Sequence, residues 1–222
     1  GTAERGQALA GARFAMERIK RELSLAYSPS VYVGDNDEGD RCVFFVPVLA
    51  SGKYNGRVTD KSASFIIPLI QQQIEQGNAI EDVNLAVRAD SGETVWQDYP
   101  QTLPANVAEF EDQAAPAPAM LPFDDAFKNP SPSFAREGTG ERYVLLQRRQ
   151  VRFCLQNGAL RRAEKAGSTW PSSSVLMLSN VMSNSAFSVY NESLQLLVMS
   201  LSLQTRDGEL VLPSQIQVIY EP

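Results

Sequence analysis

A single apolar stripe runs along the first 26 residues and predicts a long amphipathic helix. When successive residues are turned by about 100°, one side of this helix collects small and aliphatic side chains. The stripe consists of Ala8, Leu9, Ala12, Ala15, Met16, Ile19, Leu23 and Ala26. Pro29 predicts the end of the helix, because proline disfavours helical geometry in the preceding residue. We assign residues 1–27 to this helix.

The alanine-rich stripe can lie close against a sheet. The residues predicted to pack on that sheet are Leu9, Ala12, Met16, Ile19 and Leu23. Because the helical pattern starts almost at Gly1, we also expect a further segment upstream of it.

A second line of residues lies on the opposite side of the helix. It contains Gln7, Gly11, Phe14, Arg18 and Leu25. Phe14 and Leu25 are unexpected there, since a helix that only covers a core has a polar outer face. Two interpretations stay open: singly exposed apolar residues, which are common on surfaces, or a contact surface for another subunit. The second predicts a subunit interface at Phe14, Arg18 and Leu25.

The remainder of the chain is dominated by β-strand patterns. β-branched and aromatic runs predict strands, at residues 30–33, 42–48, 64–69, 83–87 and 143–155, with a short helical turn at 70–76. Asn157-Gly158 between apolar runs predicts a hairpin, because both positions tolerate positive φ. A second hairpin is expected over residues 194–220, turning at 206–209. These patterns predict an α+β fold, with a long N-terminal helix ahead of a mainly antiparallel β-sheet body at residues 28–222.

Residues 99–140 differ in character from the rest of the body. This segment contains seven prolines among Ala, Ser, Asp and Glu residues, which limits regular structure. Its aromatic content is too high for a simple disordered linker, with anchors expected at Leu121, Phe123, Phe127 and Phe134. We interpret it as an irregular insertion that packs onto the body at these anchors.

Charge and composition exclude several function classes. The chain has 20 basic and 26 acidic residues, for a net charge of −6, so the positive surface of a nucleic-acid-binding protein is not expected. It contains no histidine, which removes the commonest general base and metal ligand. No enzyme motif is present, so we predict no catalytic residues, no metal ligands and no cofactor. No run of about 18 apolar residues occurs, and the chain as given is expected to be a soluble domain.

The two cysteines leave two possibilities open. Cys42 and Cys154 lie far apart in the sequence and lack the close pairs of a zinc site. They are either joined in a disulfide or are two free buried thiols.

Residues 35–40 form a turn with several carboxylates, similar to the beginning of a calcium loop. An EF-hand requires a glutamate at the twelfth position counted from Asp35, and that position holds Val46. A solvated acidic turn and a calcium site between Asp35 and Asp40 both remain open at this point.

Several strings resemble minor pilins and minor pseudopilins. Residues 5–10, 12–19 and 21–23 of the helix are similar to the region that follows the membrane segment in these proteins, above all in MshO-type subunits of the mannose-sensitive haemagglutinin (MSHA) pilus. These subunits are relatives of the GspJ-like pseudopilins of type II secretion. Supporting strings lie at residues 42–50, 151–154 and 217–222, whereas residues 99–140 match no such pattern.

The resemblance implies a pilin-like fold and a structural role in assembly or initiation of a type IV pilus-like filament. It implies other pilin or pseudopilin subunits as partners, and an upstream apolar helix that anchors the protein in the inner membrane. It also implies a periplasmic or extracellular location, where a disulfide between Cys42 and Cys154 is expected.

Two other function classes remain. One is a surface binding module that recognises a glycan or protein through the insertion, where Trp96, Tyr99 and Phe110 would offer ring surfaces. The other is an enzyme with paired carboxylates, which no motif supports.

Overall fold

The N-terminal helix and a series of short strands account for most of the regular structure. The computed structural model describes residues 2–67, 79–116 and 118–218, so the turn predicted at 70–76 lies outside the described residues. The helices are α1 Thr2–Ser24, α2 Glu93–Trp96 and α3 Phe123–Ala126. The strands are β1 Tyr32–Asp35, β2 Arg41–Phe45, β3 Val48–Asn55, β4 Ser64–Ile66, β5 Val83–Ala86, β6 Val107–Glu109, β7 Met120–Pro122, β8 Arg142–Gln147, β9 Gln150–Gln156, β10 Ala159–Lys165, β11 Val175–Ser179, β12 Ala186–Phe187, β13 Leu196–Thr205 and β14 Gly208–Gln217.

These strands form three antiparallel sheets. The five-stranded sheet has the order β1-β2-β9-β10-β11, and the six-stranded sheet has the order β6-β5-β8-β3-β4-β7. The three-stranded sheet, β12-β13-β14, packs against α1. The chain therefore builds a layered β structure with one long helix at one side.

The expected α+β, pilin-like class is wrong, because the protein is mostly β. Strand makes up 42% of the structure and helix 18%. Among the described residues there are three hydrophobic cores, and only one of them contains α1 residues. The other two are built by strands and loops together with residues of the short helices α2 and α3. Most of the apolar burial that drives folding is therefore contributed by strands and loops, and α1 contributes to one of the three cores.

Two predicted strands are each divided between two sheets. The run at 42–48 is interrupted at Pro47, so that β2 belongs to the five-stranded sheet and β3 to the six-stranded sheet. The run at 143–155 is interrupted at Arg148-Arg149 in the same way, between β8 and β9. Proline has no N–H for a strand ladder, which explains the first break.

The predicted Asn157-Gly158 hairpin is confirmed. It joins β9 and β10, with φ values of 48° at Asn157 and 74° at Gly158. The later hairpin is also confirmed, as β13 and β14 pair along their whole length around Arg206-Asp207. Short-range turn chemistry thus determined both hairpins.

The insertion at 99–140 is anchored in the core of the six-stranded sheet. Leu121, Phe123, Phe127 and Phe134 are all buried in this core. Strand β6 pairs with β5, and β7 pairs with β4, so the insertion supplies both outer strands of the sheet. It is therefore part of the body and closes the sheet at both edges.

Glu137 ties the end of the insertion to the turn after β3. Its carboxylate accepts hydrogen bonds from the backbone N–H groups of Val58 and Thr59, each at 2.9 Å, and from the Tyr54 hydroxyl at 3.0 Å. Partial burial tends to raise the pKa of Glu137, but these hydrogen bonds outweigh it and lower the pKa to about 2.

Substituting Glu137→Gln should reduce stability in a pH-dependent way. Because the folded pKa lies below the ordinary value of 4.5, the carboxylate contributes its full stabilisation above about pH 4.5 and loses it as the pH falls towards 2. We expect the variant to be about 1–2 kcal/mol less stable at pH 7. Urea unfolding from pH 7 to pH 3 measures this, and the difference should shrink at the acidic end. Glu192→Gln, at an exposed position, is the matched control.

Candidate functional site

The inner side of α1 packs into the core that it shares with the five- and three-stranded sheets. Ala12, Ile19 and Leu23 have no exposed surface, and Met16 is buried. Leu9 is only partly buried and is not a member of this core. The helix thus has one well-packed side, centred on its C-terminal half.

The outer line of α1 is unevenly exposed. Phe14 is 73% exposed, and Leu25, which lies in the turn just after α1 ends at Ser24, is 46% exposed. Arg18 is engaged: its Nε donates to Glu22 at 3.3 Å, and its Nη1 lies 3.7 Å from the sulfur of Met177 on β11. Two of the three predicted interface residues therefore present apolar surface, and Arg18 holds the helix beside β11.

An ion pair fixes the orientation of α1. Arg162 on β10 donates from Nη2 and Nε to the carboxylate of Glu22, at distances of 2.6–3.1 Å. Both side chains are largely buried, at 11% and 20% exposure, so this pair is shielded from solvent. A fork-shaped guanidinium bound to a carboxylate is directional. It keeps Phe14 turned away from the core.

Strand β11 offers a second apolar surface next to α1. It forms the end of the five-stranded sheet, where Val175 is 58% exposed and Leu176 is 53% exposed. Leu178 of the same strand lies below Gly11 of the helix, where a Cβ atom would contact it at 3.7 Å. An edge strand with apolar side chains is suited to pairing with another chain. We call Phe14, Leu25, Val175 and Leu176 the helix-edge surface.

Cys42 and Cys154 form a disulfide across β2 and β9. The two residues lie directly opposite each other, with their Cα atoms 4.1 Å apart, and both are buried. Such a bond is compatible with an oxidising periplasmic or extracellular location. Among the residues that the structure describes, no helix has the length and apolar character needed to cross a membrane.

The acidic turn at 35–40 is organised by its own hydrogen bonds. The side-chain oxygen of Asn36 accepts the N–H groups of Glu38 and Asp40, at 3.0 and 2.8 Å. The amide of Gln156 donates to the carboxylates of Glu38 and Asp40, at 2.6 and 2.8 Å. Within residues 2–67, 79–116 and 118–218, no group of three or more metal-ligating side chains is placed to hold an ion. The turn is thus tied to the β9–β10 hairpin.

The rings proposed for glycan binding are not on the surface. Trp96 and Tyr99 have no exposed surface, and Phe110 is 1% exposed. Tyr99 accepts a hydrogen bond from Asn84 and donates one to the backbone of Gln147, each at 2.8 Å. These residues serve the cores between the sheets, so they cannot stack on a ligand.

A polar cavity that the sequence did not predict lies on the other face of the five-stranded sheet. Its volume is about 220 Å³, and it carries both charges. We call it the mixed-charge cavity, and it is lined by Tyr32, Asp35, Asn36, Asp37, Phe44, Glu93, Gln97, Asp98, Arg152, Lys165, Ser168 and Trp170.

A sequence signal for this cavity existed in the first hairpin. Extending the register from Asn157-Gly158 places Arg152 opposite Ala163 and Lys165 opposite Gln150. Strand alternation then puts Arg152 and Lys165 on one face of the sheet, together with Cys154. The contribution of Trp170 could not be inferred, because it lies in a loop after β10.

No protein-family model matches this chain, and neither the curated proteins nor the solved structures contain a significant match.

Proposed function

We propose that this chain is a non-enzymatic structural subunit of a type IV pilus-like filament, of the minor pilin or pseudopilin type, which takes part in assembly or initiation. The observation that carries the proposal is the exposure of Phe14 on a helix whose other side is buried. The strings at residues 5–23, 42–50 and 151–154 favour the same class by resemblance. The proposal concerns the role of the helix and not a pilin arrangement of the body.

The helix-edge surface gives such a subunit a physical means of binding a neighbour. Completely burying a Phe or Leu side chain contributes about 1.5–3 kcal/mol. Covering Phe14 and Leu25 together would therefore add several kcal/mol to association, of which part is offset by the cost of binding. The Arg162–Glu22 pair keeps these side chains outward before the partner arrives.

In this proposal, the subunit works outside the cytoplasm with other pilin or pseudopilin subunits as partners. An apolar helix upstream of Gly1 would hold it in the inner membrane until assembly. The buried disulfide is consistent with that environment.

Introducing charge on the outer line of α1 tests the proposal. We expect Phe14→Glu combined with Leu25→Glu to reduce the amount of filament on cells at least tenfold, because a carboxylate cannot be buried in an apolar contact without a partner. Sheared filaments are quantified by immunoblot in a strain that carries the full-length gene. The free energy of unfolding of the isolated domain should change by no more than about 0.5 kcal/mol, as is usual for exposed sites.

Val189→Glu is the matched control. Val189 is 76% exposed and lies outside α1 and β11, so the same change of charge there should leave filament yield intact. Normal filaments from the doubly substituted protein would refute the proposed interface.

A further inference from the structure

The mixed-charge cavity has two cations at one end. Lys165 is only 4% exposed, and its Nζ donates to the backbone oxygen of Gln97 at 2.9 Å. The guanidinium of Arg152 lies 4.2 Å from the ring centre of Trp170, and Nζ of Lys165 lies 5.2 Å from it. The indole thus contacts both cations through its ring electrons.

Lys165 keeps hydrogen-bonding capacity that its own fold does not use. An ammonium group has three donors, and the bond to Gln97 takes one of them. Among the described residues, no carboxylate lies within ion-pair distance of Nζ. Burial lowers the pKa of Lys165, and the more distant carboxylates of Asp98 and Asp37 offset part of this effect. A buried charge without a direct ion pair is costly. Its spare donors therefore favour an anionic group from outside the chain.

Carboxylates lie at the rim of the same cavity. Asp37, Glu93 and Asp98 line it without an ion pair to a described residue, while Asp35 is paired with Arg41. Gly34 leaves room for Glu93, since a Cβ atom there would lie 2.5 Å from the carboxylate Oε1. This negative rim repels polyanions such as nucleic acid, and it accepts hydrogen bonds from hydroxyl or ammonium groups.

We infer that the mixed-charge cavity binds a compact carboxylate ligand whose carboxyl group contacts Lys165 and Arg152 and whose opposite end donates hydrogen bonds to the rim. A volume of about 220 Å³ suits a ligand of the size of one sugar ring or one amino acid. An acidic monosaccharide and a free amino acid both have this chemistry. The inference does not depend on the proposed filament role, because the cavity shares no residue with the helix-edge surface.

The first experiment uses the wild-type protein and its two tryptophans. Trp170 lines the cavity, whereas the Trp96 indole N–H is bound to the backbone oxygen of Asp90 at 2.8 Å. We titrate D-glucuronate and L-alanine separately and follow both indole N–H signals by NMR. The Trp170 signal should move with a Kd of about 1 mM or tighter, while the Trp96 signal stays in place. D-Glucose and L-alaninamide, which lack the carboxylate, should bind at least tenfold more weakly.

The two acids distinguish the possible sources of the ligand. Binding of D-glucuronate alone identifies an acidic sugar, and binding of L-alanine alone identifies an amino acid. Binding of both supports carboxylate recognition without selection at the rim. If neither acid moves the Trp170 signal, or if the neutral analogues bind equally well, the inference is wrong.

A lysine substitution then assigns the site. Lys165→Met removes the buried ammonium, so it should weaken binding of whichever acid binds in the first experiment at least tenfold, as measured by calorimetry. Lys53→Met, at an exposed position on β3, is the matched control and should leave the affinity unchanged. Unchanged affinity in a folded Lys165→Met variant would also overturn the inference. Should this variant fail to fold, Arg152→Gln is used with the same expectation.

Discussion

Replacing Cys42 and Cys154 together by alanine is expected to lower the free energy of unfolding by about 4–5 kcal/mol. The disulfide links residues 112 positions apart, so it removes many conformations from the unfolded chain. This is close to half the total stability of a typical domain. The double variant should therefore be only marginally stable at 37 °C.

The position of this bond in the topology makes the effect important for the whole body. All strands of the six-stranded sheet, β3 to β8, lie between Cys42 and Cys154 in the chain. The chain leaves the five-stranded sheet just after β2 and returns to it at β9, and the disulfide joins these two strands. It therefore closes the loop from which the second sheet is built.

Urea unfolding of the wild type and the double variant measures this contribution. Adding a thiol reductant should shift the unfolding midpoint of the wild type towards that of the variant. The variant itself should not respond to reductant, which separates loss of the bond from other effects of the reagent. Equal midpoints for the oxidised wild type and the variant would show that the cross-link does not stabilise the fold.

The local elements of this fold could be predicted, because they depend on neighbouring residues. The helix follows from the periodic stripe through Ala12, Ile19 and Leu23, and it ends at Ser24, a few residues before Pro29. The Asn157-Gly158 hairpin follows from two residues that tolerate positive φ. In each case, the information lies in residues that are close together in the sequence.

The arrangement of the sheets could not be predicted in the same way. A β-rich run such as 42–48 shows that a strand forms, but it does not show which strand pairs with it. The pairing of β2 with β9 and of β5 with β8 joins residues far apart in the sequence. Pro47 indicated an irregularity in the strand. The sequence could not show that the chain passes there from one sheet to the other, because this depends on which strands pair with β2 and β3. The α+β assignment failed for this reason.

The site residues show the same difference between local and long-range information. The exposure of Phe14 and Leu25 agrees with the predicted outer line, which depends on local sequence, and Leu25 lies one residue beyond the end of α1. Arg18 was placed on that line, but its contact with Met177 depends on where β11 packs. The mixed-charge cavity combines residues of β1, β2, β9, β10 and α2 with three loops, so only its Arg152–Lys165 pair has a sequence signal.

Substituting Phe65→Ala should destabilise the protein by about 3–5 kcal/mol, as is typical for a buried aromatic residue. Phe65 has no exposed surface, and its ring lies 5.3–6.3 Å from those of Tyr54, Phe123, Phe127 and Tyr143. Phe123 and Phe127 belong to the insertion, whereas Phe65 belongs to β4. The substitution therefore removes the central contact between the insertion and the six-stranded sheet.

The position of Phe65 predicts which part of the protein loses stability first. Hydrogen exchange should accelerate first in residues 107–134, because the insertion loses its main apolar anchor, while residues 150–165 of the five-stranded sheet retain more protection. Phe14→Ala is the matched control: it removes the same atoms from a ring that is 73% exposed, so stability should change by no more than about 0.5 kcal/mol. Uniform loss of protection in both segments would instead mean that the two sheets unfold as one cooperative unit. The insertion would then be as firmly integrated as the strands that surround it.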